Sequence, residues 1–209
     1  MERAVSAETQ TSKTEARTQA QRERILAAAH TCFVKYGFHA ASMATIAEKA
    51  GMSPGLIYRY FENKNAIILA IIERQLADVR SDIATLRSET DFVSLFRELF
   101  AKWQGEDPEL MSPALMLEMT AEASRDPQIG KALAESDRVT GRDFNAWLTQ
   151  TARSQGQEPA REDVNARAFA LRCLIGGLAI RAIREPEVDP SVLERSLSLV
   201  LPHLLSFRT

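Results

Sequence analysis

A chain of 209 residues, 45% hydrophobic and 26% charged, is an ordinary globular composition, long enough for one large domain or two modest ones. No run approaches the roughly 18 apolar residues that span a bilayer, and the opening MERAVSAETQTSKTEARTQAQ lacks the apolar stretch of a secretory signal. No membrane and a cytoplasmic location are therefore expected. The net charge of −2 argues weakly against nucleic acid, but residues 21–65 set Arg22, Arg24, Lys35, Lys49, Arg59 and Lys64 against Glu23, Glu48 and Glu62, a local balance of +3.

Residues 1–20 are polar with mixed charge and read as a poorly ordered arm. A helical pattern starts near residue 21, with Ile25, Ala29, Cys32, Phe33 and Tyr36 on one face and Gly37 as its stop. Ser42 then caps a short helix whose inner face is Met43, Ile46, Ala47 and Ala50, and Gly51 ends it in the left-handed conformation. After Met52 alone, Ser53 is a second cap and Pro54 fits the first helical position, where its missing N–H costs nothing. Asn63 is a third cap. Two short helices joined by a tight glycine turn, after a longer helix, form a helix-turn-helix layout.

From Asn63 onward Ile68, Ile72, Leu76, Val79, Ile83 and Leu86 keep a helical stripe for about five turns. Further helices are expected over 92–103, 113–124, 128–154, 163–184 and 191–205, separated by GEDPE, RDP, SQGQEPARE and EPEVDP. No alternating strand pattern occurs. The expected fold is all-α.

The stretch AGMSPGLIYRYFENK crowds Tyr58, Arg59, Tyr60 and Phe61 into consecutive positions. With Ile57 at the centre of the buried face and about 100° per residue, Phe61 lies beside it and Pro54 and Tyr60 flank them. Gly55 and Arg59 point outward, with Leu56 and Tyr58 on the shoulders. Arg59 could be a solvated charge, with tyrosines snorkelling around the core. A cation at Lys64, in the first turn after Asn63, is disfavoured there by the helix dipole by a few tenths of a kcal/mol, roughly. A phosphate meeting Lys64 and the free N–H groups would account for it, and the Tyr58 hydroxyl could bond another phosphate oxygen.

SMATIAEKAGMSPGLIYRYFENKNAIILAII closely resembles the DNA-binding region of the TetR family of bacterial transcriptional regulators, through Ser42, IAEKAGMS, Gly55, the YRYF block and Lys64. The match covers roughly residues 22–70. The resemblance implies an N-terminal three-helix DNA-binding domain at 21–66 and a larger ligand-binding and dimerisation domain at 67–209. It implies a homodimer on a pseudo-palindromic double-stranded operator, released when a small-molecule effector moves the fourth helix. Gly55, Leu56 and Arg59 lie where base edges or nearby backbone are read; Tyr58, Tyr60, Lys64, Ser42 and Thr45 match positions that touch phosphate. Ser53 completes the candidate DNA-binding set. The readings still open are a repressor, a same-fold activator and a regulator that responds to a protein.

In the second domain Trp103, Met111, Met116, Met119, Phe144 and Trp147 are either pocket or ordinary core. Glu118 and Glu122 lie one turn apart, either solvated, paired with Arg125, or facing a cationic ligand. AFALRCLIGGLAIRAI is apolar around most of its circumference, and the final helix carries Leu193, Leu197, Val200, Leu201 and Leu204. Helices near 163–184 and 191–205 are therefore the expected dimer interface, with Gly176 and Gly177 allowing close approach and Pro202 kinking or shortening the last turn. Cys32 and Cys173 have no CxxC partner or metal spacing and read as small buried hydrophobes. No cofactor is expected. An enzyme lacks support: His30, His39 and His203 are isolated, and no HExxH, GxSxG or phosphate-loop pattern is present.

Overall fold

Capping residues set most of the helix starts, as their side chains compete for backbone N–H groups that have no partner inside the helix. The structure, a computed structural model, describes residues 2–86, 89–104 and 112–207, with side chains over 14–86, 92–104 and 112–207. Among the described residues the elements are all helical: α1 (Glu2–Ala40), α2 (Met43–Lys49), α3 (Pro54–Ile57), α4 (Lys64–Thr85), α5 (Glu89–Gln104), α6 (Pro113–Ala123), α7 (Pro127–Ser154), α8 (Arg161–Arg184) and α9 (Pro190–Leu205). The chain divides into two compact units, Met1–Ile71 and Ile72–Thr209. Among the described residues, no helix is long and apolar enough to cross a membrane.

In the first unit Ser42 accepts from the Thr45 N–H at 3.0 Å and Asn63 accepts from the Ala66 N–H at 2.8 Å, so two of the three expected caps form, while Ser53 makes no side-chain capping bond. Gly51 adopts φ +63°, the left-handed stop that lets α2 end and α3 begin within a few residues. The core joins Ile25, Ala29, Cys32 and Phe33 of α1 to Ile46 and Ala47 of α2, Ile57, Phe61, and Ile67 and Ile68 of α4, all buried. Three features differ from the sequence reading. α1 begins at Glu2, so residues 2–20 are helical where an arm was expected; Ala, Glu, Gln and Arg, all good helix formers, dominate the stretch. Tyr36 is exposed, because the chain leaves helical geometry at Gly37 (φ 75°, ψ 162°) and Phe38 takes the inward place. α3 closes after Ile57, and Tyr58–Tyr60 continue as tightened turns, with Arg59 N–H donating to Leu56 and Tyr60 N–H to Ile57.

In the second unit α6, α7 and α9 each start on a Ser-Pro or Asp-Pro pair, and Ser112, Asp126 and Asp189 all accept a hydrogen bond from the first turn. Proline at the first helical position moves the starts of α7 and α9 one residue ahead of the sequence estimate. Phe92, Phe96 and Phe100 of α5 form the centre of the core. They meet Phe144, Trp147 and Leu148 of α7, Leu171 of α8, and Leu193, Leu197 and Leu201 of α9. Each fully buried side chain of this size stabilises the fold by about 1.5–3 kcal/mol. Pro202 does not stop α9, which continues to Leu205. Cys173 departs from expectation: Cys32 is buried, but Cys173 is exposed on the outer side of α8.

Candidate nucleic-acid interface

The short turn between α2 and α4 separates inward from outward residues sharply. Ile57 and Phe61 are 0% and 3% exposed, whereas Gly55, Tyr58 and Arg59 are exposed and Leu56 and Tyr60 are half-buried. The wheel gave this division except at Pro54, which it set beside the buried pair and which is exposed at the start of α3. At Gly55 a Cβ would meet nothing within 4 Å, so the backbone there forms an open, low ridge. Ser53 stands at the N-cap of α3 without a side-chain capping bond and is exposed. Ser42 and Thr45 lie at the start of α2 with their hydroxyl oxygens 2.8 Å apart, Ser42 exposed and Thr45 half-buried. Lys49, in the last turn of α2, is also exposed.

Two cations in this region turn toward the chain itself. Arg22 of α1 donates from Nη1 to the Tyr60 carbonyl at 2.8 Å, and its guanidinium lies 4.3 Å from the Phe61 ring centroid. Lys64 was expected to offer its ammonium to a phosphate. Instead Nζ donates to the carbonyls of Phe38 at 2.5 Å, Ala41 at 2.8 Å and His39 at 3.3 Å, and it sits 4.4 Å over the Phe38 ring. The end of α1 presents carbonyls with no helical partner, and a cation satisfies them. Neither Arg22 nor the α1 carbonyls were singled out from sequence. A cation three residues ahead of the first core position, Ile25, was the one available signal for Arg22.

The second unit sorts its ligand candidates differently. Trp103, Phe144 and Trp147 belong to one apolar cluster, with the Phe92 ring 4.6 Å from Trp147 and 6.3 Å from Phe144. The Trp147 indole donates to the Leu86 carbonyl at 3.3 Å. Met119 is buried and Met116 half-buried on α6, outside that cluster, and Met111 lies outside the described residues. Glu122, not Glu118, is the buried carboxylate, and it accepts from Arg125 at 3.2 Å. A hollow of about 440 Å³ is lined by Asn145, Ala146, Thr149, Gln150 and Arg153, none of them a sequence candidate.

α8 and α9 each have two apolar sides. Val164, Ala168, Leu171, Ala179 and Ala182 of α8 and Leu193, Leu197, Leu201 and Leu205 of α9 are buried. Outward stand Phe169 (60% exposed), Ile180 and Ile183 of α8, and Val192, Leu199 (67% exposed) and Val200 of α9. At Gly176 and Gly177 a Cβ would meet no heavy atom within 4 Å, so that face of α8 is open.

A three-helix unit ending in a helix-turn-helix, with its polar and basic ridge turned outward and followed by a larger helical unit, defines a DNA-binding transcriptional regulator. The family "Bacterial regulatory proteins, tetR family" matches residues 25–71, and "BetI-type transcriptional repressor, C-terminal" matches residues 88–206. This chain belongs to the TetR family of bacterial transcriptional regulators, a non-enzymatic class. It is 35% identical over 150 residues to the HTH-type transcriptional regulator UidR of Escherichia coli strain K12, covering 67% of this chain and 71% of that one. It is 27% identical to the HTH-type transcriptional repressor AcnR of Corynebacterium diphtheriae, over 86% of this chain and 89% of the relative. The structure of Salmonella enterica GusR superposes with a TM-score of 0.71 at 29% identity, over 89% of this chain and 95% of that one.

Proposed function

We propose that this protein is a homodimeric repressor that binds a pseudo-palindromic operator through residues 21–66 and is released by a small-molecule effector bound within residues 67–209. The observation that carries the reading is the outward ridge of Gly55, Tyr58 and Arg59 above the buried anchors Ile57 and Phe61. Arg59 reads a base edge, where a guanidinium pairs with guanine O6 and N7. Gly55 and Leu56 lie against the groove floor, and the hydroxyls of Ser42, Thr45, Ser53, Tyr58 and Tyr60 meet phosphate oxygens. Lys64 is left out of the contact set, since its ammonium already serves three carbonyls.

Repression rather than activation is favoured by the repressor description of the matching C-terminal family and by the likeness to AcnR. Dimerisation is supported by the outward apolar residues of α8 and α9, which a second copy would cover. The effector must bind the operator-incompetent conformer better than the competent one, and the methionines of α6 suit an adaptable apolar site. Footprinting on genomic fragments, followed by a screen for compounds that release the protein, tests operator, sign and effector together. Protection of a two-fold symmetric site, lost on adding a compound, is the expected result. A protein that protects no DNA, or that raises transcription from the protected promoter, overturns it.

A further inference from the structure

Lys64 poses a question of energetics before one of function. It is the first residue of α4, where its own helix dipole disfavours a cation. An ammonium has three N–H donors, and here three carbonyls, those of Phe38, His39 and Ala41, accept from it. These acceptors arise because Gly37 breaks α1 at φ 75°, ψ 162°, so the last turn of the helix folds over and its carbonyls converge on one point. The Phe38 ring lies beneath that point at 4.4 Å, adding a face of negative quadrupole. α1 ends and α4 begins around one side chain.

We propose that Lys64 is a positioning residue that fixes the start of α4 to the end of α1, and that it sets the pose of the reading turn without itself contacting DNA. The turn from Tyr58 to Asn63 runs directly into Lys64, and Arg22 holds its middle through the Tyr60 carbonyl. A phosphate could reach the ammonium only by displacing a carbonyl from it. The inference rests on the DNA-binding reading above, and the two are separable by the same measurement.

A phosphate contact and a carbonyl cap respond differently to substitution. A guanidinium serves a phosphate as well as an ammonium does, often better, but its planar fork cannot converge its donors on one point for three carbonyls. A phosphate contact also contributes about 0.9 to the slope of log affinity against log salt, whereas an internal cap contributes nothing. The test takes the full chain and Lys64→Arg and Lys64→Met variants. It titrates each across salt concentrations against a fluorescent duplex selected from random-sequence DNA by the wild-type protein. Wild-type binding with a negative salt slope secures the DNA-binding reading, and its absence sinks that reading before Lys64 enters. For the variants the expected result is affinity lowered tenfold or more in both, with the slope unchanged. Retained affinity in Lys64→Arg, or a slope shallower by about one in Lys64→Met, overturns the proposal. Should Lys64→Met fail to fold, the affinity and slope of Lys64→Arg decide alone.

Discussion

Arg22 and Tyr60 are 38 residues apart in sequence, yet the guanidinium of one donates to the backbone carbonyl of the other at 2.8 Å. The same guanidinium covers the Phe61 ring, so α1 holds the exposed turn through its backbone as well as through its buried anchor. A charged hydrogen bond of this kind contributes about 1.5–3 kcal/mol, and a cation over an aromatic face adds about 0.5–1 kcal/mol at a partly exposed site. Arg22→Ala should therefore lower unfolding free energy by about 2 kcal/mol in urea denaturation. Arg22→Lys should recover only part of it, because the ammonium lacks the flat fork that reaches both groups. A change below 0.5 kcal/mol, roughly the scatter for surface substitutions, would remove the clamp from the account.

The two glycines of the helix-turn-helix should separate folding from binding. Gly51 sits at φ +63°, and a Cβ there would lie 2.5 Å from Arg24 Nη2, the far end of a flexible side chain. Gly51→Ala should destabilise by about 1–2 kcal/mol, chiefly from the left-handed backbone, with Arg24 moving aside. At Gly55 a methyl meets nothing in the protein, so Gly55→Ala should leave the melting temperature unchanged or slightly raised. Its operator affinity should fall, since the methyl then stands between backbone and groove. Equal effects of both substitutions on stability and binding would contradict this division.

Arg59 and Tyr58 are both exposed but should fail in different ways. Arg59→Ala should relax sequence preference, with about 1–3 kcal/mol less discrimination at the base pair it reads. Tyr58→Phe removes only the hydroxyl and should weaken binding to all sequences alike. Binding-site selection with each variant checks both. Stability should hold in each case, as neither side chain is part of the core.

What the sequence made legible follows from how local each cause is. The caps at Ser42 and Asn63, the left-handed Gly51 and the inward pair Ile57 and Phe61 depend on residues within a turn of one another, and all were readable. The contacts of Arg22 and Lys64 were not, because each spans more than twenty residues and depends on where α1 breaks. Cys173 and Tyr36 show the complementary failure: a helical wheel marks a face as apolar but cannot tell whether the chain's own core or nothing in the same chain covers it. Phe144 and Trp147 read equally well as pocket or core from sequence, and only their tilted ring contacts with the buried Phe92 give them a core position.

The outward face of α8 and α9 should control assembly. Leu199 is 67% exposed, so a charge there disturbs little within the chain, but in the proposed dimer it is buried without a partner. Leu199→Asp should sediment as a monomer at micromolar concentration, melt within about 2 °C of the wild-type monomer and lose operator binding, a shift smaller than 1 kcal/mol would cause in a domain of this size. A dimer that persists with unchanged affinity would place the interface elsewhere.

The two cysteines supply a probe of the same interface and of the first unit's core. Cys173 stands on the open side of α8, near Gly176 and Gly177, so a second copy seated there covers it. Its labelling by a thiol reagent should slow as protein concentration rises through the dimerisation range, and should stay fast in Leu199→Asp. Cys32 should label slowly at every concentration. Burial pushes its thiol pKa up, partly offset by Lys49 and Lys35. As pH rises past about 8.5 the unfolded thiol ionises first, so the unfolded state binds fewer protons than the native one. Stability should then fall with pH until the native thiol also ionises. Cys32→Ala should flatten that alkaline limb in pH-dependent urea denaturation.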